Sequence, residues 1–540
     1  MHDILIAGGK VIDGTGTPAV RLSVAIDGAR IAGLYKNSEE KASITIDATG
    51  MVVCPGFIDI HSHSELALLA EPLAESKIRQ GVTTELVGNC GASPAPLLGQ
   101  ARDEAMSNSE KLNIDVDWSS LDEYFLKLSK VRPSVNVAAL IGAGTLRRSV
   151  IGTANVRANP EQQALMNKLL ADCMLQGAFG LSSGLIYAPG CYASTEELIS
   201  LAAVSASSGG IYASHIRGEG TTVIPAVEEA VRIGREARVR VQISHHKVEG
   251  KSSWGKANET IRLIENARAE GVDVAMDAHP YTASSTSLDT ILPPWAREGD
   301  RNDVMARITD PATRERIKND IGKHTIEWED NIAECGWENT NIIGFQKEAN
   351  KRFENQSVAE IAGIVGKSPA DTALDLLAEE DLLLDVIFHD IMETDVETVL
   401  RNPLTSISSD GTAQSPSGPM GRYAVHPRAY GTYPRVIRRF ALEKNLFSLE
   451  EAIRKMTSLP AERMGLQQRG LLAEGYVADV VIFDPIRIRD TATYESSHRF
   501  PEGIGTVIVH GVVTIDGGEH TKERAGQVLR HKPSTASSSR

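Results

Sequence analysis

Residues 56–65 read GFIDIHSHSE, a short apolar run that ends in two histidines one residue apart. Alternate residues of a β-strand lie on the same face, so a strand over this run places His61 and His63 side by side. Two imidazoles on one face are a metal-binding geometry, although a single His-x-His pair also arises by chance. The rest of the chain has to decide between these two interpretations.

Four further segments carry a metal-binding or acidic residue just past an apolar, strand-like run. They are ELVGNCG with Cys90, IYASHIRGE with His215, VQISHHK with His245 and His246, and SISSDG with Asp410. The chain has only 14 histidines and 5 cysteines. Several of these few residues therefore occupy strand ends, which a barrel would gather at one mouth.

Two of these assignments have an alternative explanation. A cysteine at a strand end is ordinarily a small buried apolar residue, and only its neighbours make Cys90 a predicted ligand. Alternation along VQISHHK places His245 on the face of Val241 and Ile243, and it makes His246 a structural histidine. Asp59, just before the histidine pair, is either a partner of the metal ligands or a packing residue.

Between residue 56 and residue 279 the chain alternates short apolar runs, polar loops and amphipathic stretches. This alternation predicts an α/β protein built from βα units, and 540 residues are enough for a (β/α)8 TIM-like barrel with insertions. The predicted strands are FIDIH near Ile58, TTELV near Leu86, VNVAALIG near Ala138, AFGLSSG near Leu181, GIYASH near Ala213, VRVQISH near Ile243, VDVAMD near Ala275 and LTSISSD before Asp410.

The segment between the seventh and eighth strands is too long to be a structureless loop. Residues 285–350 are rich in tryptophan, glycine and charge, and we interpret them as an insertion over the barrel mouth. Ser368-Pro369-Ala370-Asp371 carries the signals of a helix start, and the helix that follows is a candidate for the seventh barrel helix. Both chain ends contain short β-rich stretches with Asp-Gly or Gly-Gly turns, which predict a small shared β-domain.

Composition narrows the classes of partner. A formal net charge of −15 argues against binding to nucleic acid or to an anionic membrane surface. No apolar run approaches the length of a membrane span, and the N-terminus lacks a cationic segment followed by an apolar stretch, so we expect a cytoplasmic protein. The five scattered cysteines argue against a disulfide framework. The polar tail at residues 526–540 is predicted to be disordered.

The segments GFIDIHSHSE, GNCG, GLSSGLIYAPG, ASHIRGEG, QISHHK and SSDG occur in this order and together resemble the N-acyl-D-amino-acid deacylases, or D-aminoacylases, of the amidohydrolase superfamily. The resemblance runs from about residue 2 to residue 530. It implies a barrel over residues 56–469, a β-sandwich from residues 1–55 and 470–525, and a lid over residues 285–350 before the eighth strand.

The resemblance also implies a metal chemistry. Cys90, His215 and His245 match a tight zinc site, His61 and His63 match a weaker second metal site, and Asp410 matches the catalytic carboxylate. Three protein ligands leave one zinc position for water, whose pKa falls to about 7. Asp410 would accept the proton of that water and return it to the leaving amine. The implied reaction is hydrolysis of N-acyl-D-amino acids to a carboxylate and a free D-amino acid.

The residues that the resemblance implies for the substrate carboxylate are Lys247, Tyr281, Ser287 and Arg428; alternatively, Lys247 and Arg428 are ordinary solvated charges. The small-molecule substrate would be the expected partner, with the protein a monomer or small homo-oligomer. The alternative function is hydrolysis of other amides or of cyclic amides. It is disfavoured because the predicted fourth strand and the loop after it, AFGLSSGLIYAPG, contain no lysine that could be carbamylated to bridge two metals, as in the hydantoinases. A non-catalytic assembly protein would have lost ligands that this chain retains.

Overall fold

A computed structural model describes residues 1–36, 40–110 and 112–532. All eight predicted barrel strands are present, and they are buried, as apolar runs in a parallel sheet covered on both faces must be. Their bounds are Phe57–Asp59, Val82–Val87, Asn136–Ala139 continued by Ile141–Gly142, Gly180–Gly184, Ile211–His215, Arg240–Ile243, Val274–Ala278 and Thr405–Ile407. The strand predictions are thus confirmed, with ends shifted by a few residues.

The eight strands pair in parallel and in sequence order. The third strand is interrupted at Leu140, so its first half pairs with the second strand and its second half with the fourth. At the other side, a parallel bridge joins Ser62 to Gly411, and the amide of Asp410 donates to the carbonyl of His61 at 3.0 Å. The ends of the first and last strands therefore lie against each other.

Helices connect successive strands, which gives the mixed α/β architecture. They are Ala67–Ala70, Glu75–Ile78, Gly99–Glu110, Leu121–Val131, Ala143–Val150, Pro160–Leu175, Thr195–Ser207, Val223–Ala237, Ala257–Ala269, Glu393–Arg401, Arg428–Arg435 with a π-helical continuation at Val436–Glu443, Leu449–Met456 and Ser458–Met464. None of the helices in the described ranges has both the length and the hydropathy that crossing a bilayer requires.

Both chain ends contribute to one nine-stranded sheet. Its strands are His2–Val11, Val20–Asp27, Arg30–Tyr35, Ala42–Asp47, Val52–Pro55, Val480–Phe483, Ile504–Val509, Val512–Asp516 and Glu519–His520. Val52–Pro55 pairs antiparallel with Val480–Phe483, and this pairing joins the two halves. A separate apolar core that includes Ile6, Val24 and Ile508 stabilises the sheet.

The segment between the seventh and eighth strands folds around a core of its own. Strands Ser284–Ser287, Thr340–Ile343 and Asp385–Phe388 form an antiparallel sheet, with the last of them in the centre. The accompanying helices are Arg301–Thr309, Pro311–Asp320, Asn331–Cys335, Val358–Val365 and Pro369–Glu379. This unit extends to Phe388, well beyond the predicted boundary at residue 350.

The helix Pro369–Glu379 begins where the sequence predicted, with the hydroxyl of Ser368 accepting the amide of Asp371 at 3.1 Å. Its interpretation as the seventh barrel helix is wrong, because Leu374 and Leu377 are buried in the core of the insertion. Glu393–Arg401 instead packs beside the helix Ala257–Ala269 and the eighth strand.

The predicted disorder of residues 526–540 is wrong for the part of that tail that the structure describes. Val528 forms a parallel bridge with Val137, the amide of Leu529 donates to Val137, and that of His531 donates to Gly177. These backbone hydrogen bonds hold the polar segment on the third strand, where composition alone gave no sign of pairing. Residues 533–540 lie outside the described residues.

Candidate metal centre

The residues predicted to bind metal converge at the carboxyl ends of the parallel strands. His61 and His63 follow the first strand, Cys90 the second, and His245 the sixth, whereas His215 is the last residue of the fifth. All of these residues except His61 line, together with Asp410, a cavity of about 1060 Å³. Parallel strands explain the convergence, because all of their carboxyl ends emerge at the same side.

Cys90 lies at the centre of three imidazoles. Its Sγ is 3.3 Å from Nε2 of His61, 3.4 Å from Nε2 of His245 and 3.8 Å from Nδ1 of His215. The three rings are buried, and the ring of His245 lies within 4.7 Å of both other rings, centroid to centroid. The structure thus brings together the three predicted ligands of the tight site, with His61 beside them.

A second group of donor atoms lies next to the first. Oδ1 of Asp410 is 3.2 Å from Nε2 of His63 and 3.4 Å from Nε2 of His61. His61 therefore belongs to both groups. The two predicted metal positions are adjacent, and one imidazole separates them.

Three of these residues have a left-handed backbone. The φ angles are +50° at Cys90, +34° at His245 and +50° at Asp410. Such a conformation costs a residue other than glycine on the order of 1–3 kcal/mol, and it is typical of functional sites. It turns each side chain out of the strand's alternation, so His246, the next residue, points away and its Nε2 lies 2.8 Å from the hydroxyl of Thr260. This agrees with its prediction as a structural histidine.

Burial determines the protonation of the cluster. It lowers the pKa of His61 and of His245 well below the usual value and that of His215 to about 3, so that these rings are neutral and have a free lone pair. Burial and then Asp410 raise the pKa of the Cys90 thiol. The donor atoms of His61, Cys90 and His245 lie within 4.8 Å of one another, and so do those of His61, His63 and Asp410. Imidazole, thiol and carboxylate are the donor types of a zinc site, and zinc would hold the thiol as thiolate.

Arg428 controls the charge of Asp410. Burial alone would raise the pKa of this carboxyl, but Arg428, followed by His245 and His63, outweighs burial and holds the pKa well below its usual value. Nη1 of Arg428 is 2.7 Å from Oδ2 of Asp410. The side chain is consequently a carboxylate that faces the two groups of donor atoms.

Sequence reasoning missed Glu219, which connects two predicted ligands from behind. Its carboxylate lies 3.1 Å from Nδ1 of His245 and 3.6 Å from Nε2 of His215, the ring nitrogens that face away from Cys90. Lys247 Nζ donates to the same carboxylate at 2.7 Å. The available signal was an acid four residues after His215, in HIRGE.

Sequence reasoning also missed Asp277. The available signal was an acidic residue near the end of the seventh strand, in VAMD. Its carboxylate accepts hydrogen bonds from the amide of His245 at 2.9 Å and from the hydroxyl of Ser408 at 2.8 Å. Burial raises its pKa to about 6. Asp277 thus fixes the turn that carries His245 and connects it to the eighth strand.

Asp59 does not contact the metal-binding side chains directly. It accepts hydrogen bonds from Nζ of the buried Lys77 at 2.7 Å and from the amide of Ser409 at 2.9 Å. Lys77 also donates to the carbonyl of Gly411 at 2.9 Å. Asp59 and Lys77 therefore connect the first strand to the loop that carries Asp410.

Three of the four predicted substrate residues line the cavity, namely Lys247, Ser287 and Arg428. The fourth, Tyr281, is buried beside the cavity. Its hydroxyl donates to the carbonyl of Pro427 at 3.4 Å, and the guanidinium of Arg435 lies 4.7 Å from its ring centroid. Tyr281 thus supports the segment that carries Arg428.

The family model "Amidohydrolase family" matches residues 45–515. The D-aminoacylase of Alcaligenes xylosoxydans xylosoxydans is 36% identical over 98% of this chain and 97% of its own length. A D-aminoacylase structure described by its binuclear metal centre superposes with a TM-score of 0.82, at 34% identity over 98% of this chain and 100% of that one.

The N-acyl-D-glutamate deacylase of Bordetella bronchiseptica, solved with zinc and a phosphonate inhibitor, superposes with a TM-score of 0.81, at 32% identity over 98% of this chain and 99% of that one. Matches of this extent, together with the family model, cover nearly the whole chain. The chain therefore belongs to the D-aminoacylases of the amidohydrolase family.

Proposed function

We propose that this protein is a zinc-dependent amidohydrolase that converts N-acyl-D-amino acids to a carboxylate and a free D-amino acid. The observation that carries the proposal is the position of Cys90, whose Sγ lies within 3.8 Å of nitrogens of His61, His215 and His245. This group opens on a cavity large enough for an acylated amino acid. Relatives with this activity match the chain along its length.

Cys90, His215 and His245 would hold the tight zinc, and His61 and His63, together with Asp410, would hold a second, weaker metal. When bound, zinc polarises the scissile carbonyl and acidifies a water molecule. The left-handed turns at Cys90 and His245 direct both side chains toward the same point. Glu219 keeps the ring of His245 in that orientation, and Asp277 fixes the backbone turn that carries it.

Asp410 carries the proton transfers in this proposal. Its low pKa keeps it ionised, so it is available to accept a proton from the attacking water. The protonated carboxyl then donates to the leaving amine, which would otherwise depart as an unstable anion. Arg428 stabilises the carboxylate before the first transfer.

The α-carboxylate of the substrate needs cationic and hydroxyl donors at the cavity wall. Arg428, Lys247 and Ser287 supply them, and Tyr281 acts through its support of the Arg428 segment. In this structure Arg428 pairs with Asp410 and Lys247 with Glu219. Binding of a carboxylate would therefore add an anion to two existing ion pairs.

The proposal extends to the architecture. The eight parallel strands, with the Ser62–Gly411 bridge between the last and the first, form a (β/α)8 barrel over residues 56–469. The sheet from both chain ends forms a β-sandwich over residues 1–55 and 470–525. The insertion acts as a lid, since Ser284–Ser287 and the turn Pro294–Arg297 contribute to the cavity wall.

Metal analysis combined with a substrate panel tests the proposal. We expect about one tightly held zinc per chain and turnover of N-acetyl-D-amino acids, with much slower turnover of the L-enantiomers. Cyclic amides such as hydantoins and dihydropyrimidines serve as the comparison class. Zinc-loaded protein that hydrolyses cyclic amides but no N-acyl-D-amino acid would contradict the proposal.

A further inference from the structure

The guanidinium of Arg428 has partners at the cavity wall, but the backbone that carries it lies at the end of a loop. Nη1 is 2.7 Å from Oδ2 of Asp410, and Nη2 donates to the carbonyl of Ser285 at 2.9 Å. The loop over residues 412–427 precedes Arg428 and contains one short helical turn, Pro419–Arg422. The position of Arg428 therefore depends on contacts that this loop receives from other segments.

The terminal sheet provides such contacts. Residues 484–503 leave this sheet between two of its strands and pack against the helix that begins at the end of the loop; we call them the strap. Asp490 of the strap lies 2.9 Å from Nη1 of Arg435 on this helix. The hydroxyl of Ser497 accepts the amide of Val425, at the end of the loop, at 3.3 Å. The strap thus holds both the loop and the helix.

His498 of the strap contacts the chain on both sides of Arg428. Its Nε2 donates to the carbonyl of Tyr423, before Arg428, at 2.8 Å, and its Nδ1 accepts the hydroxyl of Tyr430, after Arg428, at 2.9 Å. A carbonyl can only accept a hydrogen bond, so a neutral ring in this position carries its proton on Nε2 and leaves Nδ1 as the acceptor. One imidazole therefore connects the loop to the first turn of the helix.

We infer that His498 is a positioning residue, which holds Arg428 where its guanidinium can bind the α-carboxylate of the substrate. The inference rests on the proposed function, in which Arg428 has this role. His498 is not among the residues that line the cavity, so it acts through the segment that it holds. Without its two hydrogen bonds the segment would adopt several positions, and the apparent affinity for the carboxylate would fall with the fraction that is competent to bind.

The test compares N-acetyl-D-leucine with N-acetyl-D-leucinamide, which lacks the α-carboxylate, on zinc-loaded full-length enzyme. We expect the kcat/KM of the wild type to favour the acid by at least about tenfold, since charge-assisted hydrogen bonds are strong. His498→Ala should lower this preference at least about threefold, mainly through a higher KM for the acid. The zinc content should be unchanged, and the kinetics of the amide should change much less.

Three further variants assign the effect to the contacts of His498. Tyr430→Phe removes only the hydroxyl and should lower the preference, and its combination with His498→Ala should cause no further loss. His498→Gln offers one donor and one acceptor and should retain part of the preference. His510→Ala is the matched control, because Nδ1 of this histidine of the same sheet has no hydrogen-bond partner among the described residues.

The outcomes separate the inference from the proposed function. Equal losses on acid and amide in His498→Ala indicate a merely structural role and overturn the inference alone, as does an unchanged preference. A wild type that deacylates both substrates without preference overturns the anchoring role of Arg428 and the inference with it. Absence of turnover on every N-acyl-D-amino acid overturns the proposed function itself. If His498→Ala does not fold, Tyr430→Phe decides: a lowered preference supports the inference, and an unchanged one overturns it.

Discussion

Glu219 is the residue whose role depends most directly on contacts that only the structure shows. It faces the outer ring nitrogens of His215 and His245, while the inner nitrogens face Cys90. Lys247 Nζ also lies 2.8 Å from Nδ1 of His245, but an ammonium cannot accept a proton. Of these two described groups, Glu219 is the one that can accept the Nδ1 proton and so fix the tautomer that leaves Nε2 of His245 free for zinc.

We expect Glu219→Gln to weaken zinc binding by about 10- to 100-fold, as is typical when a carboxylate behind a ligating histidine is lost. Competition with a chelator of known affinity measures the change. Glu329→Gln is the control, because within the described residues Glu329 accepts the backbone amide of Glu219 but contacts neither ring. Equal zinc affinity in wild type and Glu219→Gln would contradict this positioning role.

Asp410→Asn tests the proton transfers. Asparagine tolerates the left-handed backbone at this position and keeps the shape of the side chain, so the fold should be retained. We expect kcat to fall by on the order of 10²- to 10⁴-fold while the tight zinc remains. Asp103→Asn, which removes a carboxylate from a distant part of the cavity wall, should have little effect. A loss below tenfold in Asp410→Asn would mean that another group handles the proton.

At the scale of single residues, the sequence predicted where the side chains of the site lie better than it predicted which groups they contact. The places of His61, His63, Cys90, His215, His245 and Asp410 followed from strand ends. Alternation could not reveal that Lys247 pairs with Glu219 or that Tyr281 lies behind the cavity wall. Those contacts depend on how segments far apart in the chain pack, which local periodicity does not encode.

At the scale of elements, helix Pro369–Glu379 separates what local sequence determines from what it does not. The capping serine, the proline and the acidic first turn predicted its start correctly. The apolar face of this helix could pack equally well against the barrel or within the insertion. Leu374 and Leu377 lie in the core of the insertion, so the helix belongs to the insertion.

A substitution in this helix tests whether the insertion is a separate unit. Leu377 is fully buried in the core of the insertion, so we expect Leu377→Ala to destabilise that core by about 2–5 kcal/mol. Hydrogen exchange should accelerate in Thr340–Ile343 and Asp385–Phe388 but not in Ile211–His215. Ile364→Ala, at a residue that is 60% exposed, should change neither the stability of the insertion core nor the exchange rates of these strands. Uniform acceleration throughout the barrel would show one cooperative unit instead.

At the scale of the whole molecule, βα alternation predicted the strand order but not the contacts that join the chain ends to the rest. The pairing of Val52–Pro55 with Val480–Phe483 and the bridge between Val137 and Val528 join residues hundreds of positions apart. Short β-rich stretches at both ends indicated a shared domain. The polar composition of residues 526–532 concealed that their backbone is hydrogen-bonded.

The proposed zinc site connects other segments that are far apart in the chain, because Cys90 and His245 follow the second and sixth strands and His215 ends the fifth. A metal that binds the folded chain and not the unfolded one stabilises the fold, by about 2.7 kcal/mol when its free concentration is 100 times Kd. We therefore expect chelation to lower the Tm of the wild-type protein by about 2–3 °C, and zinc to restore it.

Cys90→Ala should lose the tight zinc and with it most of this chelator-dependent shift. Cys191→Ala is the control, since Cys191 is a partly buried thiol that belongs to none of the groups of metal-binding residues among the described residues. It should retain both the zinc and the shift. Zinc bound to Cys90→Ala at one equivalent per chain, with an unchanged chelator effect, would place the tight metal on His61 and the other histidines. The thiol would then lie beside the metal without binding it.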